Sequence, residues 1–168
     1  HSGMEIVKPR ANANKLMGRF LFELKERIPC LLVSLKGGNK HNVIASGAET
    51  VILTEEDCDA ELEEAVRQYQ DTLRREYGKE DGQITVQWKK REEGKVQALH
   101  PVSMEKVIFY LIHQPHGAIK MSGSIENMAE TSANAAVMAL DEEKFMALTS
   151  IRSALESAGT SLSRQIFY

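Results

Sequence analysis

The chain has 168 residues, 42% of them apolar, enough for one domain or a pair of closely packed halves around a real core. Its 21 basic and 24 acidic residues are spread along the length and leave a net charge of -3, which excludes a basic stripe for nucleic acid and an acidic tail. No apolar run approaches the roughly 20 residues of a membrane-spanning helix, the N-terminus lacks the basic-then-apolar order of a signal peptide, and two cysteines, Cys30 and Cys58, are too few for a disulfide framework. The expectation is a cytoplasmic protein with reduced thiols that meets neither membrane nor nucleic acid.

The sequence starts on His1 and stops in an amphipathic run at Ile166-Phe167-Tyr168, so both ends read as cuts through a longer chain. After Pro9, the residues Ala13, Leu16, Met17, Phe20, Leu21, Leu24 and Ile28 recur at three- and four-residue spacing, which predicts a helix from about Arg10 to Arg27. Pro29 closes it. Cys30 to Lys36 alternates Leu31, Val33 and Leu35 before the turn at Gly37-Gly38, and a return arm from Ala48 to Thr54 makes a hairpin. Thr54 with Asp57 three residues on predicts a helix start at about Glu55, and Leu62, Ala65, Val66, Tyr69 and Leu73 give that helix one apolar face up to Gly78. Ile84, Val86 and Trp88 alternate with Thr85 and Gln87 as a strand would, and Lys89 to Lys95 reads as a charged turn. A short helix from Ser103 stops near Pro115 and Gly117. Two strands, about Ser132 to Leu140 and Phe145 to Ser153, flank the turn Asp141 to Lys144, and a last helix starts near Thr160. The Gly37-Gly38 and Asp141 to Lys144 connections are too short for parallel crossovers. The class is therefore α+β, a largely antiparallel sheet with the helices Arg10 to Arg27 and Glu55 to Tyr77 packed on one face.

The usual sequence signatures of self-contained catalysis are absent: there is no Gly-rich phosphate loop, nucleophile elbow, HExxH or CxxC. His113-x-x-His116 has metal-like spacing, but Pro115 breaks the helix that would align the two rings and no third ligand is evident, so both read as loop histidines. Glu55-Glu56 and Glu142-Glu143 sit where solvated carboxylates are expected.

Several segments carry a resemblance. The opening His1-Ser2-Gly3-x-Glu5-Ile6 and the stretch Ala11-Asn12-Ala13-Asn14-Lys15-Leu16 are similar to the Gly-His-Ser-Gly and Asn-Ala-Asn-Lys-Leu motifs with which aminoacyl-histidine dipeptidases leave their catalytic domain for the lid. His41-Asn42-Val43-Ile44 resembles that family's Arg-Asn-Ala-Ile-Pro, with His41 in place of the arginine and Ala45 in place of the proline. Pro115-His116-Gly117-Ala118-Ile119, Glu130-Thr131-Ser132-Ala133-Asn134 and Ile151-Arg152-Ser153 are similar to its Pro-Asn-Gly-Val-Ile, Glu-Thr-Ser-Leu-Asn and Ile-Arg-Ser. The matches stand in family order across nearly the whole chain.

What the resemblance implies is a ferredoxin-like lid-type or dimerisation-type domain with an insertion, spanning 1–168, from a peptidase that hydrolyses Xaa-His and similar dipeptides with two zinc ions whose ligands lie outside this chain. His1 would donate to the developing oxyanion, Arg152 would bind the substrate carboxylate, and Asn42 and Asn134 would contact substrate. Ordinary readings compete with each: a frayed terminus for His1, a surface arginine for Arg152, local backbone satisfaction for Asn42, and a solvent-facing strand residue for Asn134. The partners implied are the dipeptide, the protein's own catalytic domain and a second copy of the protein. A different class, a non-catalytic interaction module built on exposed strands, fits the same α+β pattern.

Overall fold

The computed structural model describes residues 2–55, 58–91 and 94–167. A short helix α1, Ser2–Glu5, precedes α2, Ala13–Lys25. The start of α2 is set by Asn12, whose backbone is extended and whose side-chain oxygen accepts the amides of Asn14 and Lys15. Pro29 ends it as expected, and strand β1, Cys30–Gly37, follows, then β2, Ala48–Thr54. These two pair antiparallel from Cys30↔Thr54 to Gly37↔Ala48, with an irregularity between Leu32 and Ser34. Gly38, at a φ of 65°, makes the turn out of β1. A Cβ there would lie 1.8 Å from the Ala136 carbonyl oxygen, so glycine is required twice over.

Helix α3, Asp59–Tyr77, begins later than the Thr54 to Asp57 spacing predicts: Cys58 is its N-cap and makes no side-chain cap, while Thr54 is committed to β2. Asp57 lies outside the described residues. The predicted strand at Ile84, Val86 and Trp88 does not form. That segment runs beside α3, where the Gln70 amide donates to the Ile84 carbonyl at 2.7 Å and accepts the Val86 N–H at 2.6 Å. One glutamine replaces a strand neighbour, and the alternation serves to seat Val86 and Trp88 against Leu24, Ile28 and Leu62.

Helix α4, Pro101–His113, starts two residues before the expected Ser103 because His100 caps it and Pro101 occupies the first turn. Strand β3, Gly117–Met121, is an element the sequence reading lacked. Strands β4, Ala129–Leu140, and β5, Phe145–Ser153, flank the predicted turn, and α5, Glu156–Phe167, begins four residues ahead of Thr160.

The five strands form one antiparallel sheet, and the α+β class holds. Its organising element is β4, which pairs along one edge with β5 from Thr131↔Ser153 to Leu140↔Phe145. Along the other edge β3 takes the beginning, at Ala129 to Ala133, and β1 takes the end, at Met138 to Leu140. The stretch between them has no strand on that edge, so its backbone groups need other partners. The Ala135 carbonyl accepts the side-chain amides of Asn12 at 3.0 Å and Asn14 at 3.2 Å, and the Ala135 N–H donates to His116 Nδ1 at 3.3 Å. This explains the recurring asparagines of the Ala-Asn-Ala-Asn run. Left unpaired, each of these buried groups would cost about 1–3 kcal/mol.

The helices cover one face. Leu21 of α2, Ile108 and Leu111 of α4, Leu32 and Leu35 of β1 and Met138 and Leu140 of β4 make the main core. Gly18 lets α2 and α4 approach so closely that a Cβ would fall 2.6 Å from that of Leu111. Helix α3 leans on α2 and reaches the sheet through Cys30 and Ile52, so α4 rather than α3 is the second helix laid against the strands. Tyr69 of α3 locks the pair by donating to the Leu16 carbonyl at 2.7 Å. Lys15 donates to the Leu111, Ile112 and Gln114 carbonyls and so caps the C-terminus of α4; burial pushes its amine down to about 8.

Candidate functional site

Strand alternation decides which residues can meet. Phe145 points to the helices, so alternation along β5 turns Ser150 and Arg152 to the opposite, outer face, and the ladder puts their partners Asn134 and Ser132 there too. The register shift between Ala135 and Val137 reverses the alternation of β4 relative to Met138 and Leu140. Ser132 stands opposite Arg152 and Asn134 opposite Ser150, two adjacent rungs of the same face. Ser2 and Ile6, at the N-terminus, pack over these four side chains and leave no space for a ligand between them.

Three of the four predicted residues can be placed. Arg152 is exposed, and among the described residues no carboxylate lies within ion-pairing distance of it. Asn134 is not solvent-facing: it is only 2% exposed, and its side-chain amide donates to the His41 carbonyl at 3.2 Å and the Val43 carbonyl at 2.9 Å. Asn42 sits between those two carbonyls, half-buried, and its own carbonyl accepts the Ser2 N–H at 3.0 Å. The fold thus gathers Asn42, Asn134 and Arg152 from three distant parts of the sequence. His1 lies outside the described residues, next to Ser2.

The segment that enters this cluster is tethered. Glu5 accepts from Lys8 and Arg10, which hold its carboxyl below the usual carboxylate range, the Lys8 hydrogen bond contributing most. Arg10 also reaches Asp81, and the Ala11 N–H donates to Asp81 at 2.7 Å. Ala13 N–H then donates to the Ala45 carbonyl at 2.8 Å, tying the chain to the same 41–45 loop.

The two histidines of the His-x-x-His spacing part company. His113 is exposed, stacks on Phe109 with ring centroids 4.0 Å apart, and approaches the Phe109 carbonyl at 2.8 Å. His116 faces the gap in β4, where Nδ1 receives the Ala135 N–H and meets Asn12 Nδ2 at 3.2 Å. Two donors aimed at one nitrogen keep it unprotonated, and burial together with the nearby Lys15 charge pushes the ring down to about 4. Among the described residues no group of three or more His, Cys, Asp or Glu side chains is placed to hold a metal ion, so the residues present do not fit a zinc centre. No helix among them is long and apolar enough to cross a membrane.

Ser132 and Ser150 escaped the sequence reading. The signal for Ser132 was present, because it alternates with Asn134 and must share its face; Ser150 becomes visible only through the β4–β5 register.

Residues 1–81, from α1 to just past α3, match the model of the peptidase dimerisation domain family. The chain is similar to a peptidase dimerisation domain over just under half of its length. It is 30% identical over 157 residues to the cytosol non-specific dipeptidase of Escherichia coli strain K12, an alignment that covers 94% of this chain and 32% of that protein. Its structure superposes on the crystal structure of aminoacylhistidine dipeptidase from Vibrio alginolyticus with a TM-score of 0.94 at 29% identity, covering 99% of this chain and 34% of the other. The chain spans about a third of the length of the dipeptidases it matches.

Proposed function

We propose that this domain is the substrate-clamping lid of a cytoplasmic, metal-dependent dipeptidase acting on Xaa-His and similar dipeptides. The observation that carries the reading is the setting of Arg152: an exposed guanidinium, without a carboxylate partner among the described residues, on the same outer face as a buried polar cluster. A planar guanidinium suits the bidentate recognition of a dipeptide carboxylate. Asn42 offers an amide from the neighbouring loop, Asn134 supports that loop, and His1 at the head of the N-terminal segment donates to the oxyanion as the peptide carbonyl is attacked. Attack itself and any metal chemistry belong to the rest of the protein, and the domain taken alone is inactive. The partners in this reading are the dipeptide, the protein's own catalytic domain and a second copy of the protein, with which a dimerisation domain associates.

The test is kinetic and uses the intact peptidase. His1→Ala removes a hydrogen bond that strengthens as charge develops, so the loss should fall on turnover, by roughly 100-fold. Arg152→Ala removes a contact present before and during reaction, so a raised KM should account for much of its loss, and substrates with a blocked C-terminus should hardly notice it. If both variants stay folded and hydrolyse dipeptides within a few-fold of the parent, the clamp reading is wrong. The non-catalytic reading, an interaction module alone, would then stand.

A further inference from the structure

Asn134 is spent in a way that neither packing nor direct substrate contact explains. Its side chain is buried at 2% exposure, yet Oδ1 has no hydrogen-bond partner among the described residues. For stability alone an apolar residue of similar size would serve better, because a buried unpaired carbonyl carries a desolvation penalty. What only an amide can do is what Nδ2 does: its two hydrogens reach the His41 and Val43 carbonyls, at 3.2 and 2.9 Å, on either side of Asn42. The Asn42 carbonyl in turn accepts the Ser2 N–H at 3.0 Å. Asn134 stands opposite Ser150 on β4, at the point where that strand loses its other neighbour, and Arg152 stands on the adjacent rung. One side chain thus measures the distance between a rigid ladder that carries Arg152 and a loop that carries Asn42 and steadies the N-terminal segment.

We infer that Asn134 is a positioning residue, acting through the His41–Val43 loop to hold Asn42 and the N-terminal segment at a set distance from Arg152. The inference rests on the clamp reading proposed above. It differs from direct substrate contact, because it requires Asn134 to work through Asn42.

A double-mutant cycle in the intact peptidase separates the two. Asn134→Ala and Asn42→Ala should each lower kcat/KM by about 10-fold or more, and the double variant should be no worse than the poorer single one within about 3-fold, because the second change removes what the first has already released. Asn134→Asp adds a readout that a purely structural role would not move. A carboxylate turned toward two carbonyl oxygens repels them, whereas the protonated acid donates to one. Activity of this variant relative to the parent should therefore recover as pH falls, and that of Asn134→Ala should not. Should Asn134→Ala fail to fold, the isosteric Asn134→Asp carries the test on its own. Additive losses in the cycle, a flat pH ratio for Asn134→Asp, or full activity of Asn134→Ala beside a crippled Asn42→Ala would each overturn the positioning role and leave the clamp standing. If Asn42→Ala and Arg152→Ala are both silent, the clamp fails first and takes this inference with it.

Discussion

The two faces of the sheet are built from the same strands by different rules. On the inner face, Leu32, Leu35, Met138 and Leu140 meet Leu21, Ile108 and Leu111 in a core held by shape and burial. On the outer face, along the first half of β4, Ser132 and Asn134 are also buried, beneath an N-terminal segment laid over them, and Asn134 is held by hydrogen bonds to the His41 and Val43 carbonyls. Further along the same outer face the cover stops, and Met146 and Leu148 of β5 and Leu53 of β2 are left between 44% and 47% exposed. An apolar core tolerates another hydrophobe of similar volume; a buried polar cluster specifies the residue type, because each lost donor leaves an acceptor stranded. The difference teaches where to look for function, since the polar burial that stability does not require is found where Arg152 and the Asn42 loop converge.

The inner face should show the largest effect on stability. Leu111 is fully buried and forms the contact across which Gly18 brings α2 to α4. Leu111→Ala should cost about 2–5 kcal/mol, a transfer term plus a cavity that rigid neighbours cannot close. Chemical unfolding of the chain measures it, and a loss below about 1 kcal/mol would mean that the inner face is more plastic than its packing indicates.

Apolar periodicity made the inner face legible in advance. The spacing through Leu21 and Leu24 and the short turn at Asp141 to Lys144 each pointed to the element found, and β2 and β5 came out with the boundaries expected. The alternation of Leu31, Val33 and Leu35 located β1 but not its inward residues, which are Leu32 and Leu35 because the register breaks between Leu32 and Ser34. Where the reading failed, a side chain had taken over a backbone role. Gln70 replaces a strand beside Val86, so alternation there signals contact with helices rather than pairing. Strand β3 is short and irregular, with register shifts at Lys120 and Met121, and gives too little pattern to register. Of the site, the resemblance supplied Asn42, Asn134 and Arg152 as residues of interest, yet nothing local could show that Asn134 is buried or that Ser150 faces it. Both facts come from strand register, which single-sequence patterning does not determine.

The gap in β4, between the two faces in character, should respond to pH. Folding depresses the His116 pKa from its ordinary 6.5 to about 4. Above pH 6.5 the ring is neutral in both states and its contribution is complete; as pH falls toward 4 the unfolded chain takes up a proton that the folded chain refuses, so stability declines across that window. The full decline is on the order of 2–3 kcal/mol. His116→Asn keeps an acceptor for the Ala135 N–H and cannot titrate, so the pH 4 to 6.5 slope of unfolding free energy should shrink in this variant. An unchanged slope would assign the acid sensitivity elsewhere.

The smallest effect is expected on the bare part of the outer face. Leu148 is 45% exposed and stands opposite Val137, away from the helices and from the segment that covers Asn134. A side chain already half in water loses little when it becomes polar, so Leu148→Ser should alter the unfolding free energy of the chain by no more than about 0.5 kcal/mol, the range of surface substitutions without special contacts. The comparison of faces is sharpened by measuring this at two well-separated protein concentrations. A cost that stays small at both confirms a surface open to solvent in the free domain. A loss above about 1.5 kcal/mol that grows with concentration would instead show that the Met146 and Leu148 side chains are buried between copies, because association stabilises the folded state by mass action and a polar residue in that contact removes the gain. The outer face would then be a second buried surface, apolar where the first is polar.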